Sequence, residues 1–302
     1  MDRICILMST YNGERYLKDQ IDSLLAQDNV VFDICIRDDG STDGTLNILR
    51  QYESRFTNIK IQAGENVGYE KSFYSLMKNV GVYQYYAFSD QDDIWDKDKL
   101  ICAVEAMWKK ETNKPLLYMC NLRLVNENLL YICDMKAPDA RIFQKGSYLV
   151  DKYGYGCTYV FNRALKDLAL RYEPKIKISH DNWVGLIDIF MGDHIFDSQT
   201  HISYRQHSNN VMGGDNGQSG IWRRRIKALR NIKQYSRALV AQEILNGYSD
   251  LLGHDDVELL ELVANYRSSI KNKISLLRNR EIRRVSKEKN MWFRIMTIFS
   301  LA

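Results

Sequence analysis

Three carboxylates stand within four residues, at Asp90, Asp92 and Asp93, directly after the apolar run 85–88. That run has the length of a buried strand and is short for a helix. Carboxylates this close together repel one another unless a cation lies between them. Their oxygens suit Mg²⁺ or Mn²⁺, which keep open positions for phosphate oxygens. The cluster therefore predicts a site for a phosphorylated ligand; the open alternative is that Asp92 or Asp93 caps a helix starting near Asp96.

Repeated strand, loop and helix patterns in the first hundred residues could position this cluster. Apolar runs typical of strands alternate with helical spacing, the runs lying at 3–8, 30–37, 59–62 and 85–88. This alternation predicts a parallel α/β sheet with crossover helices. Ligands of such sheets bind beyond the carboxyl ends of the strands, where the polar loops 9–14, 38–45 and 66–68 are also expected.

Composition excludes several classes of protein. The chain has 302 residues, 45% of them apolar, and a net charge of +4, which favours one large domain with an appendage. Residues 1–220 carry 25 basic and 30 acidic side chains, net −5, whereas residues 221–302 carry 17 and 8, net +9. The acidic first part disfavours a nucleic-acid partner. Six scattered cysteines without paired spacing, no apolar run of about 20 residues and no leader predict a cytoplasmic protein with reduced thiols.

Nucleotide-binding signatures of other classes are missing from the sequence. It has neither G-x-G-x-x-G nor G-x-x-x-x-G-K-[ST], which disfavours dinucleotide enzymes and P-loop NTPases. A nucleotidyltransferase would also use aspartates at a strand end, but the glycine-rich, lysine-bearing N-terminal loop expected for a nucleoside triphosphate is not found. A nucleic-acid or lipid-binding module would explain the basic tail alone.

Further polar positions follow in the second half. Gly154 and Gly156 lie in a loop that enters the apolar run 159–161, where glycine permits close backbone approach to a ligand. Asp181 heads an apolar helical pattern that extends to Phe190. From the residues alone, Asp181 is either the N-cap of that helix or a functional carboxylate held by the helix start.

These motifs resemble those of a known family. Segments 9–12, 38–45, 66–68 and 90–93 are similar, in this order, to the signatures of family-2 glycosyltransferases of GT-A fold. Segments 89–95, 180–183 and 204–211 resemble in particular bacterial rhamnosyltransferases of cell-wall or capsular polysaccharide synthesis. The resemblance covers about residues 3–215. It implies an α/β GT-A domain over 1–219, Rossmann-like with a mostly parallel mixed sheet, whose nucleotide-binding half is about 1–100 and whose acceptor half is about 101–219.

The resemblance also implies roles for individual residues. Asp39 would accept a hydrogen bond from the base N3–H, which suits uracil and thymine equally. Asp92 would bind Mg²⁺ or Mn²⁺ directly, with Asp90 on a metal-bound water or the ribose and His207 on the metal or the pyrophosphate. The full set expected around the nucleotide sugar is Thr10, Tyr11, Asn12, Glu14, Asp39, Gly68, Lys71, Asp90, Gln91, Gly156 and Arg205.

On the acceptor side, Asp181 is the general base that the resemblance implies for inverting transfer. Trp95 and Trp183 follow the two acidic motifs and are expected to stack on sugars, with burial in the core as the alternative. His180 is assigned to the acceptor site, although an ordinary hydrogen-bonded histidine is the more common case. Arg205 pairs with phosphate or is solvated, and Asp93 caps the next helix.

The basic tail, 220–302, is predicted to be a helical extension. Segments 221–226, 239–252 and 257–277 have helical apolar spacing, and 291–299 ends the chain with apolar and aromatic residues. Such helices dock on anionic lipid at the inner face of the cell membrane, pack on the catalytic domain, or form a homodimer. The expected reaction is transfer of L-rhamnose from dTDP-rhamnose to a glycan or lipid-linked glycan, with UDP-hexose donors as the alternative.

Overall fold

The computed structural model describes residues 3–110, 113–151, 153–207 and 236–300. The strands are β1 (Arg3–Thr10), β2 (Val31–Asp38), β3 (Ile59–Ala63), β4 (Tyr85–Ser89), β5 (Ile94–Trp95), β6 (Leu116–Asn126), β7 (Tyr131–Asp134), β8 (Tyr159–Asn162) and β9 (Asp193–Gln206). The helices are α1 (Leu17–Leu25), α2 (Thr45–Arg55), α3 (Tyr69–Asn79), α4 (Lys99–Trp108), α5 (Lys145–Val150), α6 (Arg163–Leu170), α7 (His180–Met191), α8 (Arg237–Tyr248), α9 (His254–Ala264), α10 (Ile270–Arg278) and α11 (Lys287–Ile298).

The strands of the described residues form one mixed sheet in the order β3-β2-β1-β4-β8-β6-β9-β5, with β7 paired to β6. Strands β1 to β4 are parallel to one another, as the alternating sequence pattern predicts. Strand β8 then runs antiparallel between β4 and β6, and β5 runs antiparallel to β9. The first four strands consequently end at one edge, so their following loops lie side by side.

Both faces of the sheet are covered by helices. Along β1, Ile4 and Ile6 face a core shared with α1, α2 and α4, while Cys5 and Leu7 face a core shared with α3 and α7. The alternation follows from the period of two along a strand. Because both faces are buried, β1 is a continuous apolar run, as is usual for a central parallel strand.

The C-terminal helices pack on the same core as α7. Ala241 and Ile244 of α8, Leu260 of α9 and Phe293 of α11 belong to the buried cluster that also contains Trp183. Lys145 of α5 forms an ion pair with Asp256 at 2.7 Å, which joins the two parts of the chain. The predicted segment 257–277 is two helices rather than one.

A serine cap starts the second of these two helices. The Ser269 hydroxyl accepts a hydrogen bond from the backbone N–H of Asn272 at 3.0 Å, as an N-cap does. The predicted helical segment 221–226 and the proposed boundary at residue 219 lie outside the described residues. Among the described helices, none is both long enough and apolar enough to pass through a lipid bilayer.

Candidate active site

A cavity of about 760 Å³ lies at the carboxyl ends of β1 and β4 and is closed on the far side by the start of α7. Its walls come from the loops after the parallel strands, from the turn at Gly156 and from the end of β9. The structure brings together in this lining many of the residues expected from sequence: Tyr11, Asn12, Asp39, Gly68, Asp90, Gln91, Asp92, Gly156, His180, Asp181 and His207.

The loop after β1 is held to the acidic loop by a side-chain clamp. Gln91 Oε1 accepts a hydrogen bond from the backbone N–H of Tyr11 at 2.9 Å, and Gln91 Nε2 donates to the Tyr11 carbonyl at 3.1 Å. Asn12 adopts a left-handed conformation with φ of 48°, which asparagine tolerates, and its Oδ1 accepts from the N–H of Thr42 at 2.8 Å. Three loops are therefore fixed relative to one another at the cavity rim.

Asp39 is a buried carboxylate with a fixed orientation in the cavity wall. Its two oxygens accept hydrogen bonds from the backbone N–H groups of Val67 and Gly68, each at 2.9 Å, and Oδ1 also accepts from the Arg37 guanidinium. Gly68 has φ of +86°, a conformation that L side chains rarely adopt. Asp39 is thus preorganised by the loop that precedes α3.

Four predicted nucleotide contacts, Thr10, Glu14, Lys71 and Arg205, do not lie in the cavity lining. Thr10 is buried, and its hydroxyl donates a hydrogen bond to Asp38 at 3.0 Å, so it stabilises the ends of β1 and β2. Glu14 accepts from the backbone N–H of Gly44 at the start of α2. Lys71 is exposed on α3. The burial of Thr10 argues against direct ligand contact, whereas contact by the exposed Glu14 and Lys71 stays a prediction.

The acidic loop presents two carboxylates to the cavity. Asp92 Oδ2 lies 2.8 Å from His207 Nε2, and the His207 ring packs on Tyr16 with centroids 4.9 Å apart. Burial, together with the charges of Asp92 and Asp181, raises the pKa of Asp90 to about 7. The carboxylates of Asp90, Asp92 and Asp181 therefore repel one another across the cavity.

This arrangement fits a divalent cation. A cation between Asp90 and Asp92 would counteract the burial and the neighbouring negative charges that raise the pKa of Asp90. Carboxylate and imidazole groups are both ligands for Mn²⁺, and carboxylates suit Mg²⁺. Asp90, Asp92 and His207 are therefore the residues that could hold the metal.

Beneath the acidic loop lies a buried layer that corrects two predictions. Asp93 is fully buried and accepts from the backbone N–H of Arg205 at 3.1 Å. The N-cap of α4 is Asp98, so neither Asp92 nor Asp93 caps that helix. Trp95 is also buried, and its ring lies 2.9 Å from Lys99 Nζ. Trp95 consequently does not form an acceptor wall.

Lys99 is a positively charged residue beside the acidic loop that was not expected from the sequence. It is fully buried, and its ammonium donates to the Cys157 carbonyl at 2.8 Å. Burial lowers the pKa of Lys99 to about 7, although the thiols and carboxylates around it act in the opposite direction. A helical lysine after a tryptophan carries no signal of burial in the sequence.

Arg205 stabilises the acidic loop and is not placed for phosphate. It is 3% exposed, and its guanidinium donates to the Asp92 carbonyl and the Glu127 carbonyl, each at 2.8 Å. It also pairs with Asp19 at 2.9 Å. Neither the predicted phosphate contact nor the solvated alternative matches these contacts, because the donors are directed at protein groups.

Asp181 lies in the first turn of α7, opposite the acidic loop. The N-cap of α7 is Ser179, so the N-cap interpretation of Asp181 is wrong. Its Oδ1 accepts from the backbone N–H of Asn182 at 2.7 Å, an interaction that a helix N-terminus offers to a carboxylate. Gly156 lies directly against this group, since a Cβ there would be 3.2 Å from Asp181 Cβ.

The neighbours of Asp181 on α7 differ in exposure to the cavity. His180 lines the cavity and stacks on Phe73 with ring centroids 3.8 Å apart. Trp183 is 1% exposed, donates from Nε1 to the Ala169 carbonyl at 3.1 Å and packs against Tyr248. The predicted acceptor role of Trp183 is therefore corrected to a core role.

Several lining residues were not expected to line the site. They are mostly aromatic and come from elements whose sequence signal was structural, such as the helical spacing of Tyr16 and the strand pattern of Tyr204. Asn66 belonged to a recognised motif and could have been assigned from it. Apart from the small residues Ser9, Gly13 and Ser179, the unexpected members are Arg15, Tyr16, Asn66, Tyr69, Phe73, Tyr155 and Tyr204.

Comparison with known proteins identifies the family of this chain. The model of "Glycosyl transferase family 2" matches residues 5–154. The chain is 32% identical over 226 residues to "dTDP-rhamnosyl transferase RfbG" of Shigella flexneri, which is 69% of this chain and 74% of that protein. It is 35% identical over 111 residues, covering 35% and 42% of the two chains, to the putative teichuronic acid biosynthesis glycosyltransferase TuaG of Bacillus subtilis.

Solved structures share the fold. S. aureus TarS 1–349 in complex with UDP-GlcNAc superposes with a TM-score of 0.60 at 20% identity, covering 99% of this chain and 80% of that chain. The mannosyltransferase PcManGT from Pyrobaculum calidifontis, in complex with GDP-Man and Mn²⁺, gives a TM-score of 0.53 at 16% identity, covering 99% and 84%. The expected GT-A fold with its helical C-terminal region is confirmed, and the chain belongs to glycosyl transferase family 2.

Proposed function

We propose that this glycosyltransferase moves L-rhamnose from dTDP-L-rhamnose to a glycan or lipid-linked glycan of a bacterial surface polysaccharide, with inversion at the anomeric carbon. The observation that carries the proposal is that Asp92 and Asp181 line one cavity from opposite walls. The identity of 32% to a dTDP-rhamnosyl transferase over most of the chain supports the donor.

The nucleotide end of the donor binds along the strand-end loops. The Asp39 carboxylate, fixed by Val67 and Gly68, accepts a hydrogen bond from the N3–H of thymine. The Tyr11 ring is about half exposed at the rim, where it can contact the nucleoside. The clamp from Gln91 holds the Tyr11 backbone in place before the donor arrives, which lowers the ordering cost of binding.

The diphosphate lies at the acidic loop. Asp90, Asp92 and His207 would hold Mg²⁺ or Mn²⁺, which would supply positive charge to the diphosphate and to the leaving nucleotide. Arg205 contributes indirectly: its bond to the Asp92 carbonyl fixes the loop backbone. Because these residues are positioned by buried contacts, little reorganisation accompanies donor binding.

Asp181 removes the proton from the acceptor hydroxyl. As that oxygen bonds to the anomeric carbon, the bond from this carbon to the phosphate oxygen breaks and the nucleoside diphosphate leaves. The first turn of α7 and the bond from Asn182 hold the Asp181 carboxylate in the cavity wall. Inversion follows because the base and the leaving group lie on opposite faces of the sugar.

A UDP-hexose donor is the second candidate. The chain is 30% identical over 167 residues to "UDP-Glc:alpha-D-GlcNAc-diphosphoundecaprenol beta-1,3-glucosyltransferase WfgD" of Escherichia coli, which is 54% of this chain and 61% of that protein. Asp39 can accept from uracil as well as from thymine. Transfer or hydrolysis screened over dTDP-rhamnose, UDP-glucose, UDP-galactose and UDP-N-acetylglucosamine, each with and without Mg²⁺ or Mn²⁺, separates the candidates.

The base assignment is tested by Asp181→Asn, which should lose transfer by at least about 10²-fold, the usual contribution of a general base. Asp188→Asn is the matched control on the same helix. Asp188 is fully buried and lies outside the cavity lining, so replacing it by the isosteric Asn should leave transfer unchanged. Normal turnover by Asp181→Asn would show that another group takes the proton.

We further propose that the C-terminal helices contact the inner face of the cell membrane. Trp292 and Phe299 are 37% and 69% exposed on or beside α11, which also carries the exposed cations Lys287 and Arg294. An apolar and basic surface of this kind fits anionic lipid. A homodimer through the same surface is the alternative. Sedimentation with anionic vesicles should fall on replacing Trp292 and Phe299 by Ser and stay unchanged in Trp108→Ser.

A further inference from the structure

A second group of metal-binding side chains lies where α4 begins beside β9, away from the cavity lining. Asp98, Cys102 and His201 each offer one ligand atom, and the three atoms lie within 4.8 Å of one another. Asp98 and Cys102 are four residues apart at the start of α4, so they lie on one face. The closest pair is His201 Nδ1 and Asp98 Oδ1 at 2.9 Å. The group combines nitrogen, sulfur and oxygen donors.

A second carboxylate lies on the other side of His201. Its Nε2 lies 3.5 Å from Asp197 Oδ2, and that oxygen accepts a hydrogen bond from the Tyr118 hydroxyl at 2.8 Å. His201 is 6% exposed, and its Nε2 has no hydrogen-bond partner among the described residues. Metal-binding histidines usually direct the second ring nitrogen at a carboxylate, which fixes the tautomer. The Asp197 carboxylate lies on this side of the His201 ring, with Oδ2 3.5 Å from Nε2.

An irregularity in β9 creates the pairing of Asp197 with His201. Residues four apart in a straight strand are separated by about 13 Å along the chain. In β9, Asp197 pairs with Cys120 whereas Thr200 pairs with the next residue, Asn121, so residues 198–199 are additional in the strand. Such bulges redirect side chains and are common beside functional sites. Here the bulge brings the Asp197 carboxylate to the His201 ring.

We propose that Asp98, Cys102 and His201 bind a transition-metal ion of the Zn²⁺ class, with water as a fourth ligand and with Asp197 and Tyr118 orienting His201. Thiolate and imidazole ligands select Zn²⁺ or Co²⁺ over Mg²⁺, in contrast to the carboxylates of the donor site. The exposed Asp98 gives the ion a path from solvent. The ion ties the start of α4 to β9 and takes no part in sugar transfer.

The thiol ligand gives a direct test. Metal-free full chain is titrated with Co²⁺ in excess Mg²⁺, and thiolate-to-cobalt charge-transfer absorption is recorded. We expect the band in the native chain, in Cys133→Ser and in Cys157→Ser, and its loss in Cys102→Ser. Cys157 is the essential control because it forms another potential ligand group with Asp90 and Asp93. No band in the native chain, or a band retained in Cys102→Ser, would overturn the proposal.

Zinc retention tests the histidine and its partner. Equilibrium dialysis in excess Mg²⁺ should leave one Zn²⁺ per chain in both the native protein and Asp92→Asn, which removes a donor-site ligand. Asp197→Asn preserves an acceptor for Tyr118 and should weaken Zn²⁺ binding about 10-fold or more, as for other outer-shell carboxylates. His201→Gln should lose the ion, with circular dichroism confirming that it is folded. Undiminished Zn²⁺ binding by His201→Gln and Asp197→Asn would contradict the assignment.

Discussion

The two walls of the cavity, which we propose bind the donor and the acceptor and call the donor wall and the acceptor wall, are built in different ways. The donor wall consists of short loops that follow parallel strands, with contacts such as Gln91 to Tyr11 between neighbouring strand ends. The acceptor wall brings Gly156 against Asp181, and α7 behind it is packed by the C-terminal helices through Trp183 and Tyr248. Local sequence therefore specifies the donor wall, whereas tertiary packing specifies the acceptor wall.

The largest effect expected on the donor wall comes from Asp92→Asn. Loss of this carboxylate should reduce transfer by about 10²–10³-fold, the usual cost of removing one preorganised charge-stabilising group. Raising the Mg²⁺ or Mn²⁺ concentration should recover part of the rate. Asp28→Asn, an exposed carboxylate outside the cavity lining, is the control. A native rate of sugar transfer in Asp92→Asn would contradict a role for the metal in the reaction.

On the acceptor wall, Gly156→Ala should reduce transfer by up to about 10²-fold, the cost of misplacing a catalytic group by about 1 Å. An added Cβ would lie 2.9 Å from His180 Nε2 and 3.2 Å from Asp181 Cβ, so the His180 ring and Asp181 must move. Gly81→Ala, where the nearest atom is 3.6 Å away, should be neutral. Donor binding is measured by calorimetry, and a loss of transfer that exceeds the loss of donor affinity in Gly156→Ala would separate the two walls.

The pKa of Asp90 gives the donor wall a pH signature. Burial and the charges of Asp92 and Asp181 raise this pKa to about 7 in the folded protein, against about 3.9 in an unfolded chain. Between these values the folded state binds more protons, so the stability of the metal-free protein should fall as pH rises from about 4 to about 7. Urea unfolding should show this decline in the native chain and a smaller one in Asp90→Asn.

Trp183→Phe is expected to have the smallest effect on transfer. Loss of indole volume and of the bond to the Ala169 carbonyl should lower the free energy of unfolding by about 1–3 kcal/mol. The acceptor KM should not change, because Trp183 is buried away from the cavity. Trp108→Phe, at an exposed tryptophan, should be close to neutral in stability. A raised acceptor KM in Trp183→Phe would indicate that Trp183 does stack on the acceptor sugar.

The contrast between the walls also explains what the sequence could predict. Asp90 and Asp92 follow an apolar run, and parallel strands end at one edge, so their place at the cavity could be inferred from local pattern. The burial of Trp95 and Trp183 could not, because an indole that stacks on sugar and one that fills a core have the same sequence context. Arg205 likewise required the structure, since its partners Asp19 and Glu127 are distant in sequence.

The fold, too, could be predicted where local pattern determines it and could not where distant residues pair. Strands β1 to β4 were predicted from periodicity because each crossover is short and regular. The insertion of β8 between β4 and β6 depends on pairing between residues distant in sequence, such as Ala87 with Val160. The break between α9 and α10 depends on the Ser269 cap, which helical apolar spacing does not reveal.

The central claim is that a cation at Asp92 holds the donor while Asp181 acts on the acceptor. Calorimetric titration of dTDP-rhamnose into Asp181→Asn, with Mn²⁺ and then with chelator, tests it most directly. The account predicts native affinity with Mn²⁺, at least about 10-fold weaker binding without it, and no transfer. Affinity that is the same with and without the cation, or that is lost in Asp181→Asn under both conditions, would contradict it.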